Sequence, residues 1–165
     1  MFLSLLNYLL LGSALAETTN YAFLANKGIL YINVYKDPET LGAGLAHDHA
    51  IQAVGWSGKA SWDPQNPESC SITLTVPVNN LQVDRPETRR LAGLEGDVSD
   101  SQRADITKNM LAEGQLNATE FPNISFQSTG CTVQGESTTI NGNFTLRGVT
   151  KSISVPAKVT YEKGI

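Results

Sequence analysis

The sequence predicts a mainly β protein, an antiparallel sheet that closes toward a barrel and carries a short helical insertion between its third and fourth strands. Two observations predict it. Apolar and polar residues alternate with a period of two over several runs, as they do on a sheet with one buried face. That alternation is interrupted once, from Asp84 to Glu113, where the pattern turns helical. The 165 residues suffice for one domain with a sizeable core, and 41% hydrophobic with 17% charged residues marks a folded chain. An antiparallel sheet that hides its edges by closing becomes a barrel.

The first segment is expected to lie outside the fold. An apolar run from Leu5 to Leu11 is followed by Ala14-Leu15-Ala16 and Glu17, the pattern at which a secretory signal is cleaved. Residues 1–16 are therefore read as a signal peptide, with the mature chain starting near Glu17 in the periplasm or outside the cell. No Lys or Arg precedes the run, so an N-terminal strand or anchor stays open as the alternative. The run is too short to span a bilayer, and no transmembrane segment is expected in the mature chain.

GILYINVY (28–35) is rich in β-branched and aromatic residues and forms the first expected strand. Trp56, Gly58, Ala60 and Trp62 share one face of the second. Ile72, Leu74, Val76 and Val78 alternate with Ser71, Thr73, Thr75 and Pro77 in the third. In the insertion, Pro86 suits a first helical turn, and Ser99-Asp100-Ser101-Gln102 offers a capping box before Ala104, Ile106, Met110 and Leu111. Gly93 and Gly96 divide the insertion into two short helices. Ile124 and Phe126 mark the fourth strand, and Ile140, Gly142, Phe144 and Leu146 the fifth. Val149, Ile153, Val155, Ala157, Val159 and Tyr161 mark the sixth, which the short Arg147-Gly148 connection joins to the fifth as a hairpin.

Net charge is −4 and no block of Lys or Arg occurs, which removes the footprint needed for nucleic acid or an anionic membrane surface. In an oxidising compartment Cys70 and Cys131 would more often pair than stay free. Cys70 shares the parity of Ile72 and Leu74, but Cys131 shares that of Ser125 and Gln127, the wrong face for a simple pair. A bulge near Thr129-Gly130 would restore the phase, and Val133 at the parity of Cys131 favours one. Bridge and free thiols both stay open at this point.

EFPNISFQST (120–129), followed by INGNFTLRGVTKSISVPAKV (140–159), closely resembles the paired signature of the YceI-like family of periplasmic polyisoprenoid-binding proteins. In that family a Tyr/Phe-Pro-x-Ile-x-Phe-x-Ser strand precedes a hairpin carrying Arg-Gly-Val-Thr. GLAHDHAI (44–51) resembles variant members with a His-Asp motif at the head of their second strand. The resemblance covers residues 21–161 and is most specific over 145–151. It implies a lipocalin-like antiparallel β-barrel over residues 17–165, with a long apolar cavity for an isoprenoid or similar amphiphilic lipid. Two departures stand out. Arg103-Ala104-Asp105-Ile106 occupies the region where many members carry Arg-Asp-x-His-Leu. Members also continue for two more strands, whereas this sequence stops at Lys163-Gly164-Ile165, so a barrel lacking its last two strands and open on one side is expected.

Alternation alone does not separate a filled barrel from a hollow one. Small residues at Gly58, Ala60 and Gly142 lean toward a cavity, and the resemblance implies one. Trp56, Ile72, Leu74, Val76, Ile124, Phe126, Phe144, Leu146, Ile153 and Val155 are the residues expected to line it. The two histidines of the chain, His47 and His49, flank Asp48. On a strand, i and i+2 share a face, workable for a transition metal, but a stable site wants three or four ligands. A metal on His47, Asp48 and His49 therefore ranks below local hydrogen bonding at a strand head. It also ranks below contact with a ligand head group, for which His47, His49 and Arg147 are rim candidates. No G-x-S-x-G elbow or Cys–His pair appears, so neither an enzyme nor a cofactor is expected. The expected partner is an isoprenoid or fatty-chain small molecule. The alternative is a periplasmic metal- or redox-associated accessory protein built on His47, Asp48 and His49.

Overall fold

A computed structural model describes residues 19–23, 27–37, 39, 47–63 and 65–159. The expected signal peptide, the residues of the last strand beyond Val159 and the Lys163-Gly164-Ile165 tail lie outside the described residues. The described elements are β1 (Thr19–Ala22), β2 (Leu30–Val34), β3 (His49–Ala53), β4 (Ser57–Trp62), β5 (Ser71–Pro77), β6 (Leu81–Val83), α1 (Pro86–Leu91), α2 (Asp100–Leu111), β7 (Asn123–Gln134), β8 (Ser137–Leu146) and β9 (Val149–Ala157). The fold is mainly β, and every pairing is antiparallel.

The six expected strands appear as β2, β4, β5, β7, β8 and β9, and the helices fall between the third and fourth of these. Three more strands add to them. β1 and β6 have four and three residues, too few for a period to be read in isolation, and the five residues of β3, HAIQA, do not alternate regularly. The strands form a six-stranded sheet in the order β1-β4-β5-β7-β8-β9 and a three-stranded sheet in the order β2-β3-β6. A 3₁₀ turn at Val78–Asn80 carries the chain from β5 directly into β6 and so from one sheet to the other. Among the described residues no ladder joins the two sheets into a closed barrel.

Local chemistry accounts for the punctuation. Arg147 and Gly148 have φ of 48° and 71°, the two-residue turn whose twist suits a strand pair. Pro86 opens α1, and Gly93 and Gly96, at φ of 70° and 77°, turn the chain after it. Ser99 caps α2: its hydroxyl accepts the Gln102 N–H while the Gln102 side chain accepts the Ser99 N–H. The register of β7 on β8 shifts between Ser128 and Gly130. Beyond that shift, Cys131 is joined to Cys70 in a disulfide with Cα atoms 5.9 Å apart, both residues buried. The main core is Ile51, Ala53, Val76, Val78, Leu81, Val83, Ala118 and Ile124, gathered from both sheets and the segment after α2.

Candidate ligand-binding site

β3 is covered on both sides. Ala50 is wholly buried on the α1 side, where the Thr88 hydroxyl donates to the Gln52 side chain at 2.8 Å. His49, Ile51 and Ala53 have the opposite parity and face the space between the sheets. That space is a cavity of about 580 Å³, within the range of small-molecule sites.

One wall is Leu30, Ile32 and Val34 of β2, His49, Ile51 and Ala53 of β3, and Leu81 of β6. The facing wall is Leu74, Val76, Ile124, Phe126, Phe144 and Leu146 of β5, β7 and β8. Ile106 and Met110 of α2 and Leu116 beyond it complete the enclosure. The polar lining residues are His49, Asn109, Gln115 and Ser125. Ile32 and Val34 stay 45% and 49% exposed, whereas Ala53 and Leu81 are 3% and 5% exposed. The cavity therefore opens near Val34 and deepens toward Ala53.

Of the residues expected to line it, Leu74, Val76, Ile124, Phe126, Phe144 and Leu146 do so, and Trp56, Ile72, Ile153 and Val155 do not. The reasons differ. Trp56 packs on the core and meets the Phe23 ring, centroids 5.5 Å apart. Ile72 stands opposite Ala60 of β4, farther along the sheet than Leu74. Ile153 and Val155 pair with Gly142 and Ile140, on the cavity side of the sheet, but β9 is the edge strand and stands one strand beyond the cavity lining, where each is 37% exposed.

Gly58 and Gly142 also act differently from expectation. A Cβ at Gly142 would collide with the Phe126 ring, and one at Gly58 with the Thr73 carbonyl oxygen of the neighbouring strand and the Phe23 ring. Aromatic rings take up the room these glycines leave, so the cavity owes its volume to the separation of the two sheets.

His47, Asp48 and His49 do not converge. His47 precedes β3 and is exposed, the Asp48 carboxylate accepts the Lys36 N–H at 2.8 Å, and His49 Nδ1 lies 2.6 Å from Asp84 Oδ2. Among the described residues no group of three or more His, Cys, Asp or Glu side chains is placed to hold a metal ion. Arg147 is exposed and donates to the Glu113 carbonyl at 2.8 Å.

Sequence reasoning missed the carboxylate behind His49. Asp84 is fully buried at the end of β6, with φ of 49°, a left-handed conformation that Asp tolerates better than most residues. Its Oδ1 accepts the Ala50 N–H and Arg89 Nη1, each at 2.9 Å. Burial pushes its carboxyl up, but the hydrogen bonds from Ala50, His49 and Arg89 outweigh this and hold it below the usual value. Arg89, also buried, donates in addition to the carbonyls of Asp48, Glu95 and Gly96. No local pattern announces a pair 35 positions apart. The β2 wall was missed as well, although Leu30, Ile32 and Val34 alternate with Tyr31 and Asn33, a period that gives their shared face and not what the face meets.

Comparison with known proteins agrees with this architecture. Residues 39–165 match the YceI-like domain. The chain is 29% identical over 119 residues to the UPF0312 protein of Enterobacter sp. (strain 638), and 27% identical over 119 residues to Protein YceI of Salmonella arizonae. Each alignment covers 66% of this chain and 53% of the relative, so the chain spans about half the length of the curated relatives it matches. Among solved structures, Burkholderia cenocepacia BcnA superposes with a TM-score of 0.55 at 16% identity, over 69% of this chain and 61% of that one. A mutant CJ YCEI protein with a monobromobimane guest gives a TM-score of 0.51 at 14% identity, over 67% of this chain and 55% of that one. These two structures show a shared fold. The match over residues 39–165 places the chain in the YceI-like domain family.

Proposed function

We propose that the chain is a non-enzymatic, extracytoplasmic binding protein that holds the apolar chain of a polyisoprenoid or similar amphiphilic lipid between its two sheets. The observation that carries this reading is the cavity of about 580 Å³, walled by aliphatic and aromatic side chains from both sheets and α2. A lipid chain moved from water into such a space gains roughly 0.8 kcal/mol per methylene. Family membership supports the same class of ligand, and the disulfide supports an oxidising compartment. No helix among the described residues is long and apolar enough to cross a membrane.

The Asp84, His49 and Arg89 cluster is read as support for the cavity wall. Among the described residues no Ser, Thr or Cys side chain is hydrogen-bonded to His49, Asp84 or Arg89. Native mass spectrometry of the protein from its own source, followed by organic extraction, tests the reading. The expected result is one long-chain lipid per protein, released on extraction. A ligand-free mass that persists after incubation with isoprenoid-loaded vesicles would overturn it.

A further inference from the structure

Resting on that reading of the cavity, we propose that His49 Nε2 anchors the polar end of the ligand, and that this end is a hydroxyl group, an alcohol or phenol on a long apolar chain.

The argument starts from protons. An ionised carboxylate only accepts hydrogen bonds. Both Asp84 oxygens are engaged, Oδ1 by the Ala50 N–H and Arg89, Oδ2 by His49 Nδ1 at 2.6 Å. Nδ1 must therefore carry the ring's proton, and in the neutral imidazole Nε2 is then a bare lone pair. His49 makes no other side-chain hydrogen bond among the described residues. The ring is not sealed off either, since the His49 side chain keeps 23% of its surface exposed. The ring is thus held on one nitrogen and open on the other.

Its position adds the second half. His49 belongs to the cavity wall, and its cross-strand partner Val34 is 49% exposed. Along the same face of β3, Ile51 and Ala53 fall to 6% and 3%. The open acceptor stands at the mouth, where the apolar wall begins. A chain inserted toward Ala53 would leave its end group beside it. A lone pair calls for an O–H. A carboxylate or carbonyl offers only further lone pairs, and the charge of Arg89 is already matched by Asp84.

Calorimetric titration of the full-length protein with farnesol, farnesene and farnesoic acid tests this. Farnesol is expected to bind roughly two- to twelvefold tighter than farnesene, the worth of one hydrogen bond. Farnesoic acid should gain nothing over farnesene. In a His49→Leu variant the preference for farnesol over farnesene is expected to disappear, whatever the affinity the two then share.

Equal binding of farnesol and farnesene, or a farnesol preference that survives in His49→Leu, overturns the anchor and leaves the cavity standing. Tightest binding by farnesoic acid, lost in the variant, overturns the hydroxyl assignment. Failure of all three probes to bind overturns the cavity reading and the anchor with it. Should the variant not fold, ¹⁵N resonances of the wild-type imidazole decide. Farnesol should move the unprotonated Nε2 signal and leave the Nδ1 signal in place, and an unmoved Nε2 overturns the proposal.

Discussion

β3 and β9 are opposites. β9 has nine residues and a clear alternation, yet as the outer strand of the large sheet it is exposed from Val149 to Pro156. β3 has five residues and no readable period, yet it is the centre of the small sheet and carries Ala50 at 0%, Ala53 at 3% and Ile51 at 6% exposure. Alternation reports which face a residue takes. Whether that face is covered depends on the neighbours, and β3 has helix α1 on one side and the second sheet on the other. The strand that announces itself least is thus the one that both the core and the cavity depend on.

The strongest test removes the anchor of β3. Asp84→Ala leaves Arg89 buried without its carboxylate and frees the Ala50 N–H, and is expected to cost about 3–5 kcal/mol in urea unfolding. The milder Asp84→Asn reads the same contact through pH. Because the folded carboxyl of Asp84 lies below its unfolded value, the unfolded chain takes up the proton first as pH falls. Its contribution is complete above the ordinary carboxylate range and is lost as pH drops through the lower folded value. The stability gap between wild type and Asp84→Asn should be widest above about pH 5 and narrow below about pH 4.

Next comes Ile51→Ala, in the wall between core and cavity, with an expected loss of about 2–4 kcal/mol by the same unfolding assay. Gly148→Ala tests how β9 is tied on. Its φ of 71° and the Phe121 ring beside it oppose a methyl group, and the left-handed conformation alone costs roughly 1–2 kcal/mol. Smallest of all, Ile153→Thr on the edge strand should change stability by less than about 0.5 kcal/mol. A large effect there would mean that β9 is covered in solution, and the contrast with β3 would fall.

What could be read in the sequence followed the reach of each signal. β5, β7, β8 and β9 are long enough to show a period, Ser99 and Gln102 sit three residues apart, and Arg147-Gly148 forms the turn it suits. The phase error at Cys131 pointed to a bulge because parity counts along a single strand. Half of the cavity wall followed from the same alternation. The other half depended on how two sheets face each other across α2, which no local window contains. Asp84 was hidden for the same reason, since its partners His49, Ala50 and Arg89 belong to β3 and α1.

Arg89 has a consequence for how this region can change over time. Of the four acceptors its guanidinium reaches, Asp84 alone contributes a side chain; Asp48, Glu95 and Gly96 contribute main-chain oxygens. Every amino acid carries such an oxygen, so the identity of residue 95 is irrelevant to the bond it makes. Replacement there keeps the knot as long as the backbone keeps its course, whereas a lysine at 89 would present a point of charge where a planar fork is required. Apart from Gly93 and Gly96, whose positive φ the turn requires, the loop after α1 is thus free to drift in sequence while its path stays fixed, and the side-chain constraint lies in the Arg89–Asp84 pair.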